Sequence, residues 1–111
     1  MVRTRYINEL ENLKNEIILY SAIVEKMLMD MKVTIETAVE DADIKDQLHE
    51  IESKEDEIRE YNRNIETLCL KIMSTQQPVA KDLRFVSSTL NIIRNVEKIG
   101  GHVIEVSGLL N

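Results

Sequence analysis

Apolar residues recur at alternating spacings of three and four over the first part of the chain. An α-helix advances about 100° per residue, so side chains at these spacings lie on one face. The pattern predicts a helix over about residues 4–38 with a buried seam, as in an antiparallel bundle or a coiled coil. The seam consists of Leu10, Leu13, Ile17, Tyr20, Val24, Met27 and Met31. Further apolar residues lie away from it: Ile18, Leu19, Met29 and Val33.

A second helix is predicted from isoleucine at every seventh position between residues 44 and 72. Asp41 or Asp43 can cap its start, which places a turn at about residues 39–43 and the helix over about residues 43–75. The face opposite the isoleucines is almost wholly charged, so we expect that face to lie in solvent. The isoleucines are Ile44, Ile51, Ile58, Ile65 and Ile72.

A third helix is predicted over about residues 78–108, because Pro78 cannot donate a helical hydrogen bond and is suited to the first helical position. It has two apolar faces, centred about 130° apart. Glu97 falls within the first face, so we expect it to be aimed at the core and to be paired, protonated, bound to metal or close to the bundle edge. The first face consists of Val79, Leu83, Val86, Leu90 and Ile93. The second consists of Phe85, Ile92, Val96, Ile99, Val103, Val106 and Leu110.

Few turn-forming residues interrupt these patterns, since the 111 residues include only three Gly and one Pro. We therefore predict an all-α fold, an antiparallel three-helix bundle in which residues 1–111 form a single domain. The apolar surface of the first and third helices is wider than one bundle can cover. This width predicts burial against a second copy in a homo-oligomer, or against another half of a longer protein.

Charge and cysteine content narrow the class of protein. Twenty Asp and Glu against 14 Lys and Arg give a net charge of −6, so we expect no nucleic-acid partner and no basic face for one. No apolar run approaches the roughly 18 residues that span a bilayer, and the first five residues carry charge. The lone Cys69 is expected to pack as a small buried hydrophobe. These features predict a reduced, cytoplasmic protein.

One segment carries a more specific signal. Residues 76–84 read Gln-Gln-Pro-Val-Ala-Lys-Asp-Leu-Arg, and residues 96–100 read Val-Glu-Lys-Ile-Gly. With Val-Arg-Thr-Arg-Tyr at residues 2–6, these segments resemble the PhoU family of phosphate-signalling proteins. The motif residues are Gln76, Gln77, Pro78, Asp82 and Arg84. Asp82 also lies where a carboxylate favours a helix start, so its presence has either a structural or a ligand-binding explanation.

The resemblance implies tandem three-helix halves, of which this chain matches the first. It implies a non-catalytic adaptor between a phosphate ABC transporter ATPase and a sensor histidine kinase, which reaches the membrane only through the transporter. We predict no enzyme, since the first helix has no set of converging Arg and Lys on its seam. The alternative is a helical oligomerisation module, such as the tail of some sodium/phosphate cotransporter-like proteins.

A metal site is also implied by the resemblance, because the family motif places an acid one helical turn before an aspartate. Here the acid is Glu97, but Gly101 replaces the aspartate and Asn95 stands where relatives carry a further acid. Antiparallel pairing of the second and third helices brings Glu97 opposite Ile58, within reach of Glu55 and Asn62. We predict a polar layer there. It either binds iron, zinc or magnesium through Glu97 and Glu55, or is hydrogen-bonded or protonated within the core.

Overall fold

The computed structural model describes residues 2–75 and 78–111, with side chains from Thr4 onward; the motif residues Gln76 and Gln77 lie outside the described residues. The four α-helices in order are α1 Val2–Val39, α2 Lys45–Glu52, α3 Glu55–Thr75 and α4 Ala80–Leu110. The described ranges contain no strand, and the predicted all-α bundle is confirmed.

The predicted seams form the core. On α1 every seam residue is buried except Ile17, which is partly buried. On α2 and α3 the isoleucines at 51, 58, 65 and 72 are buried as expected. Cys69 is also buried, and this burial raises the pKa of its thiol to about 11, so the thiol stays protonated near neutral pH. The prediction that Cys69 packs as a hydrophobe is confirmed.

The second predicted helix is divided in two. The backbone N–H of Ser53 still donates to the His49 carbonyl at 2.9 Å, whereas that of Lys54 donates to the Ile51 carbonyl at 3.1 Å. A bond to the third residue back replaces the usual bond to the fourth, and this tightens the backbone at residues 53–54 into a turn. The heptad of isoleucines continues across the turn because Ser53 keeps helical backbone angles.

The first turn lies where the sequence placed it. Asp41 has a φ of 63°, in the left-handed region that aspartate tolerates better than most residues. The Asp43 side chain then accepts a hydrogen bond of 3.0 Å from the Lys45 backbone N–H, the first residue of α2. The N-cap position itself is Ile44, which makes no side-chain capping hydrogen bond, so Asp43 supports the start of α2 from one residue earlier and Asp41 makes the reversal.

The helices form an up, down, up bundle of 59 × 20 × 17 Å, with α3 packed on both α1 and α4. Val24 of α1 and Ile58 of α3 both lie against Gly100 of α4. A Cβ at Gly100 would stand 2.9 Å from Ile58 Cδ1, so the missing side chain lets the two helices approach. Ile58 thus faces Gly100 and not Glu97, about one helical turn further along α4 than the predicted pairing.

The core direction of α4 differs from the predicted one. Its innermost residues lie between the two apolar faces, and they include the small residues Thr89, Gly100 and Ser107. Val79 at the start of the first face is 62% exposed, and Glu97 within that face is exposed. The prediction that Glu97 is aimed at the core is therefore wrong, whereas its alternative position at the bundle edge is observed. Small residues allow close helix packing, so the strip of α4 that contains Thr89, Gly100 and Ser107 faces the core.

Candidate functional site

A cleft opens at the side of the bundle where α3 begins and α4 passes it. It has a volume of about 340 Å³. Gly100 and Gly101 lie along its α4 wall, and their missing side chains keep it open. The lining residues are Glu55, Ile58, Arg59, Glu97, Lys98, Gly100, Gly101 and Ile104. The structure therefore brings the two predicted carboxylates, Glu55 and Glu97, to one cavity.

The two carboxylates differ in their surroundings. Glu55 accepts a hydrogen bond of 3.2 Å from the Arg59 guanidinium, one turn along α3. Glu97 has no Lys, Arg or His nitrogen within 4.0 Å among the side chains described. Both are exposed, so they form the rim of the cleft and not a layer within the core.

Inside the bundle near the cleft, the buried polar group is the hydroxyl of Tyr20, which was predicted only as a member of the apolar seam of α1. The Tyr20 hydroxyl donates a hydrogen bond of 3.4 Å to Asn62 Oδ1, and the Tyr20 ring stacks on Tyr61. Burial, together with the nearby negative charge of Glu97, raises the pKa of Tyr20 to about 12. Of the predicted polar layer, the half-buried Asn62 pairs with the buried Tyr20, whereas Glu55 and Glu97 are exposed.

The donor set at the cleft does not fit a structural metal site. Hard cations take six or more oxygen ligands, and iron or zinc takes at least three side chains. Glu55 is already paired with Arg59, and the described residues contain no group of three or more His, Cys, Asp or Glu placed to hold a metal. The metal role of Glu97 and Glu55 stays a prediction.

The described motif residues are spread over the start of α4. Asp82 is half-buried in its first turn and accepts a hydrogen bond of 2.5 Å from the Tyr6 hydroxyl of α1. Pro78 is half-buried just before the helix, and Arg84 is exposed. The structural explanation for Asp82 is thus supported. This contact could have been predicted from the sequence, because both residues lie near the start of helices that run parallel in an up, down, up bundle.

Large apolar side chains remain uncovered on α1 and α4. Ile18 is 66% exposed and Met29 is 62% exposed on the outward side of α1. Ile92 and Ile99, from the second apolar face of α4, are 44% and 41% exposed. As predicted, one copy of the chain leaves these surfaces without a partner element. Within the described residues, no helix is both long and apolar enough to cross a bilayer.

Comparison with known proteins agrees with these features. Residues 17–109 match the PhoU domain. The chain belongs to the PhoU family. The phosphate-specific transport system accessory protein PhoU homolog of Clostridium acetobutylicum is 28% identical over 109 residues, covering 96% of this chain and 47% of the homolog. The corresponding PhoU homolog of Pseudomonas aeruginosa is 30% identical over 99 residues, covering 89% of this chain and 39% of the homolog.

The chain thus spans less than half the length of these curated PhoU relatives. A shorter match, 36% identical over 62 residues, relates 56% of this chain to the PhoU homolog of Deinococcus radiodurans. No solved structure shows significant similarity to the chain. The predicted family resemblance is confirmed.

Proposed function

We propose that this chain is a non-catalytic regulator of phosphate transport that acts by docking to other proteins in the cytoplasm. The observation that carries the proposal is the PhoU domain match over residues 17–109, together with relatives named as accessory proteins of a phosphate-specific transport system. The partners we propose are the ATPase of a phosphate ABC transporter and a sensor histidine kinase. Contact with the membrane is then indirect, through the transporter.

The character of the surface supports a docking role. Exposed apolar side chains are common at protein–protein interfaces, and α1 and α4 each carry several of them. The histidines give no sign of a reactive site, because His49 is exposed and His102 is exposed beside Glu105, with 3.6 Å between Nδ1 and Oε2. The buried Cys69 thiol, with its raised pKa, is a poor nucleophile.

We further propose that the apolar surface of α1 and α4 is buried in a homo-oligomer or against a second three-helix repeat. The matched segments cover 47% and 39% of two relatives, which leaves room in each for the second repeat that the family resemblance implies. Two copies of this chain would supply the same number of helices as two three-helix repeats in one chain. The surface in question includes Ile18, Leu28, Met29, Ile35, Ile92 and Ile99.

The test is co-purification from cells grown with ample phosphate. The tagged protein is expected to retain the transporter ATPase, the sensor kinase or both, and deletion of its gene is expected to release phosphate-responsive genes from repression. An unrelated acidic helical bundle carrying the same tag is the control. The proposal would be contradicted if deletion of the gene left phosphate-responsive genes repressed and if no partner signal exceeded that of the control.

A second function, a plain oligomerisation module or the tail of a sodium/phosphate cotransporter-like protein, is favoured only by the exposed apolar surface of α1 and α4. It predicts self-association without recovery of either proposed partner. The same co-purification separates the two functions, because an oligomerisation module would retain copies of itself alone.

A further inference from the structure

Three cations stand in a row on the outward side of α4. Arg84, Arg94 and Lys98 are all exposed and point within roughly 40° of one direction on the helix. No acidic residue occurs between positions 83 and 96. The row extends about 21 Å at 1.5 Å per residue. We name these residues the cationic stripe.

The stripe contrasts with the cations on the rest of the molecule. Most exposed Lys and Arg of α1 and α3 lie within 4.0 Å of a carboxylate, as Lys26 does with Asp30 at 2.9 Å. None of the three stripe residues has such a partner among the side chains described. Elsewhere in the same part of the chain, Lys45, Arg63 and Lys81 are also unpaired. Lys45 and Arg63 are each isolated on their own helix, and Lys81 lies about 100° around α4 from the stripe. Among the described side chains, α4 alone has more than one unpaired cation on the same face.

The arrangement carries a local cost. Arg94 and Lys98 are one helical turn apart, and like charges at that spacing destabilise a helix by a few tenths of a kcal/mol. Glu97 and Lys98 both line the cleft, but the Glu97 carboxylate is within 4.0 Å of neither the Arg94 nor the Lys98 nitrogens. From Arg84 to Lys98 this face carries no carboxylate, and the exposed Glu105 lies in the same direction about two turns beyond Lys98.

The neighbours of the stripe are suited to binding a protein. They are exposed small polar residues that can donate hydrogen bonds without blocking access: Ser87, Ser88, Asn91 and Asn95. The exposed apolar residues Ile92 and Ile99 lie about 100° around the helix, so a partner on the stripe leaves them free for the oligomer contact.

From this geometry we propose that the cationic stripe is the docking site for an acidic segment of a partner protein. The inference rests on the proposed function, and it names the surface and the charge of what binds there. Two guanidinium groups can each hold a carboxylate through paired hydrogen bonds, and Lys98 adds a third charge contact. The segment should present Asp or Glu along about 20 Å, for example one face of a helix four turns long.

A protein fits this surface better than a nucleic acid or a lipid headgroup layer. The net charge of −6 repels extended polyanions, and three cations are fewer than the four to eight that mark anionic lipid binding. The stripe contains no aromatic residue on which a base could stack. A short acidic segment avoids the repulsion because it contacts only the one positive face.

The experiment compares two triple variants of the full chain with the wild type. The stripe variant is R84Q/R94Q/K98Q. The matched control is K26Q/K32Q/K45Q, which removes the same charge from exposed positions on α1 and α2. Binding to the purified transporter ATPase, to the soluble part of the sensor kinase and to phosphatidylglycerol vesicles is measured by titration at low and at moderate salt. Circular dichroism verifies that both variants remain folded.

We expect the stripe variant to bind at least one of the two proteins about tenfold more weakly than wild type, and the control to stay within about twofold. The wild-type affinity should fall with salt, and that fall should be smaller in the stripe variant. Equal affinity of stripe variant and control would overturn the inference while leaving the proposed function intact. A loss confined to vesicles would overturn it in favour of lipid. Absence of wild-type binding to both proteins would reject the proposed function itself, and the inference with it.

Discussion

The Tyr6 hydroxyl donates a hydrogen bond of 2.5 Å to Asp82 Oδ2, across 76 residues of sequence. It joins the first turn of α4 to the beginning of α1, so the two parallel helices are tied at the same end of the bundle. The carboxylate also lies near the positive end of the α4 dipole. Asp82 thus performs two structural tasks with one side chain.

Replacing Tyr6 by Phe removes this hydrogen bond while keeping the ring in the core. Because a hydrogen bond to a charged group contributes about 1.5–3 kcal/mol, we expect Tyr6→Phe to lower the free energy of unfolding by an amount in that range. Asp82→Asn keeps an acceptor but loses the charge, and should cost less. Urea unfolding followed by circular dichroism measures both. An unfolding midpoint unchanged in Tyr6→Phe would show that the contact adds nothing to stability.

The raised pKa of Tyr20 predicts a loss of stability in alkaline solution. The folded protein holds the phenol proton up to a pKa of about 12, against 10.0 for an ordinary tyrosine. The proton is therefore bound more tightly in the folded state. This stabilising contribution is complete below pH 10 and is lost as the pH rises through about 12.

Tyr20→Phe should flatten the fall in unfolding free energy between about pH 10 and pH 12, since its side chain has no proton to lose. Tyr61→Phe is the matched control, because it changes the stacking partner and leaves Tyr20 in place. Glu97→Gln should lower the pKa of Tyr20, because the Glu97 charge contributes to the shift. Ultraviolet titration of the phenols measures that pKa. A wild-type slope retained in Tyr20→Phe would contradict the assignment.

The two neighbouring glycines of α4 should respond differently to alanine. A Cβ at Gly101 meets no atom within 4 Å, so Gly101→Ala should raise the unfolding free energy by about 0.5–1 kcal/mol through helix propensity. A Cβ at Gly100 would lie 2.9 Å from Ile58 Cδ1, and the buried Ile58 would have to turn. Gly100→Ala should therefore gain less than Gly101→Ala, by about 1 kcal/mol. Equal gains in urea unfolding would mean that Ile58 has room to move.

The exposed apolar surface of α1 and α4 should drive self-association unless a second repeat covers it. We expect Leu28→Glu/Ile99→Glu to weaken oligomer formation at least about tenfold, because each carboxylate would be desolvated at the contact. The control is Leu109→Glu/Val39→Glu, which adds the same two negative charges at side chains that are each 81% exposed at the ends of their helices. Light scattering coupled to size exclusion gives the mass. A wild-type monomer at high concentration would contradict the proposed homo-oligomer.

The incomplete donor set at the cleft predicts weak metal binding. We expect protein prepared without chelator to retain less than one equivalent of iron, zinc or magnesium, and Glu97→Gln to leave this content unchanged. Elemental analysis of both proteins measures it. A full equivalent in the wild type that is absent from Glu97→Gln and from Glu55→Gln would instead support the metal role implied by the family resemblance.

Periodicity determined much of the fold in advance. The seams of α1 and of the isoleucine helix were predicted residue by residue, because a regular apolar spacing leaves one direction in which a helix can bury its surface. For α4 the same method was wrong about the core direction. Its two apolar faces lie on either side of Thr89 and Gly100, whose small side chains give no hydrophobic signal yet permit the closest packing.

The candidate site was predicted in part. Glu55 and Glu97 do line one cleft, as the antiparallel pairing indicated, but both are exposed, and the exposure of Glu97 follows from the rotation of α4. The hydrogen bond of Tyr20 to Asn62 and the effect of Glu97 on its pKa were not predicted, since periodicity places a seam tyrosine among apolar residues and does not locate its hydroxyl. The cationic stripe was not predicted from the net charge of −6, because the net charge does not show which charged residues lie on the same face of a helix.

By itself the sequence determined the helical character of the chain, the outer ends of its three predicted helices, their order and the family, because these depend on spacing and on residues close together in the chain. It did not predict the break between α2 and α3. Only the tertiary structure decided which face of α4 turns inward, and that Tyr6 meets Asp82. It also decided that Arg84, Arg94 and Lys98 lack carboxylate partners among the side chains described. Those outcomes depend on how three rods rotate against one another. Contacts between residues distant in sequence fix that rotation, and no local pattern contains them.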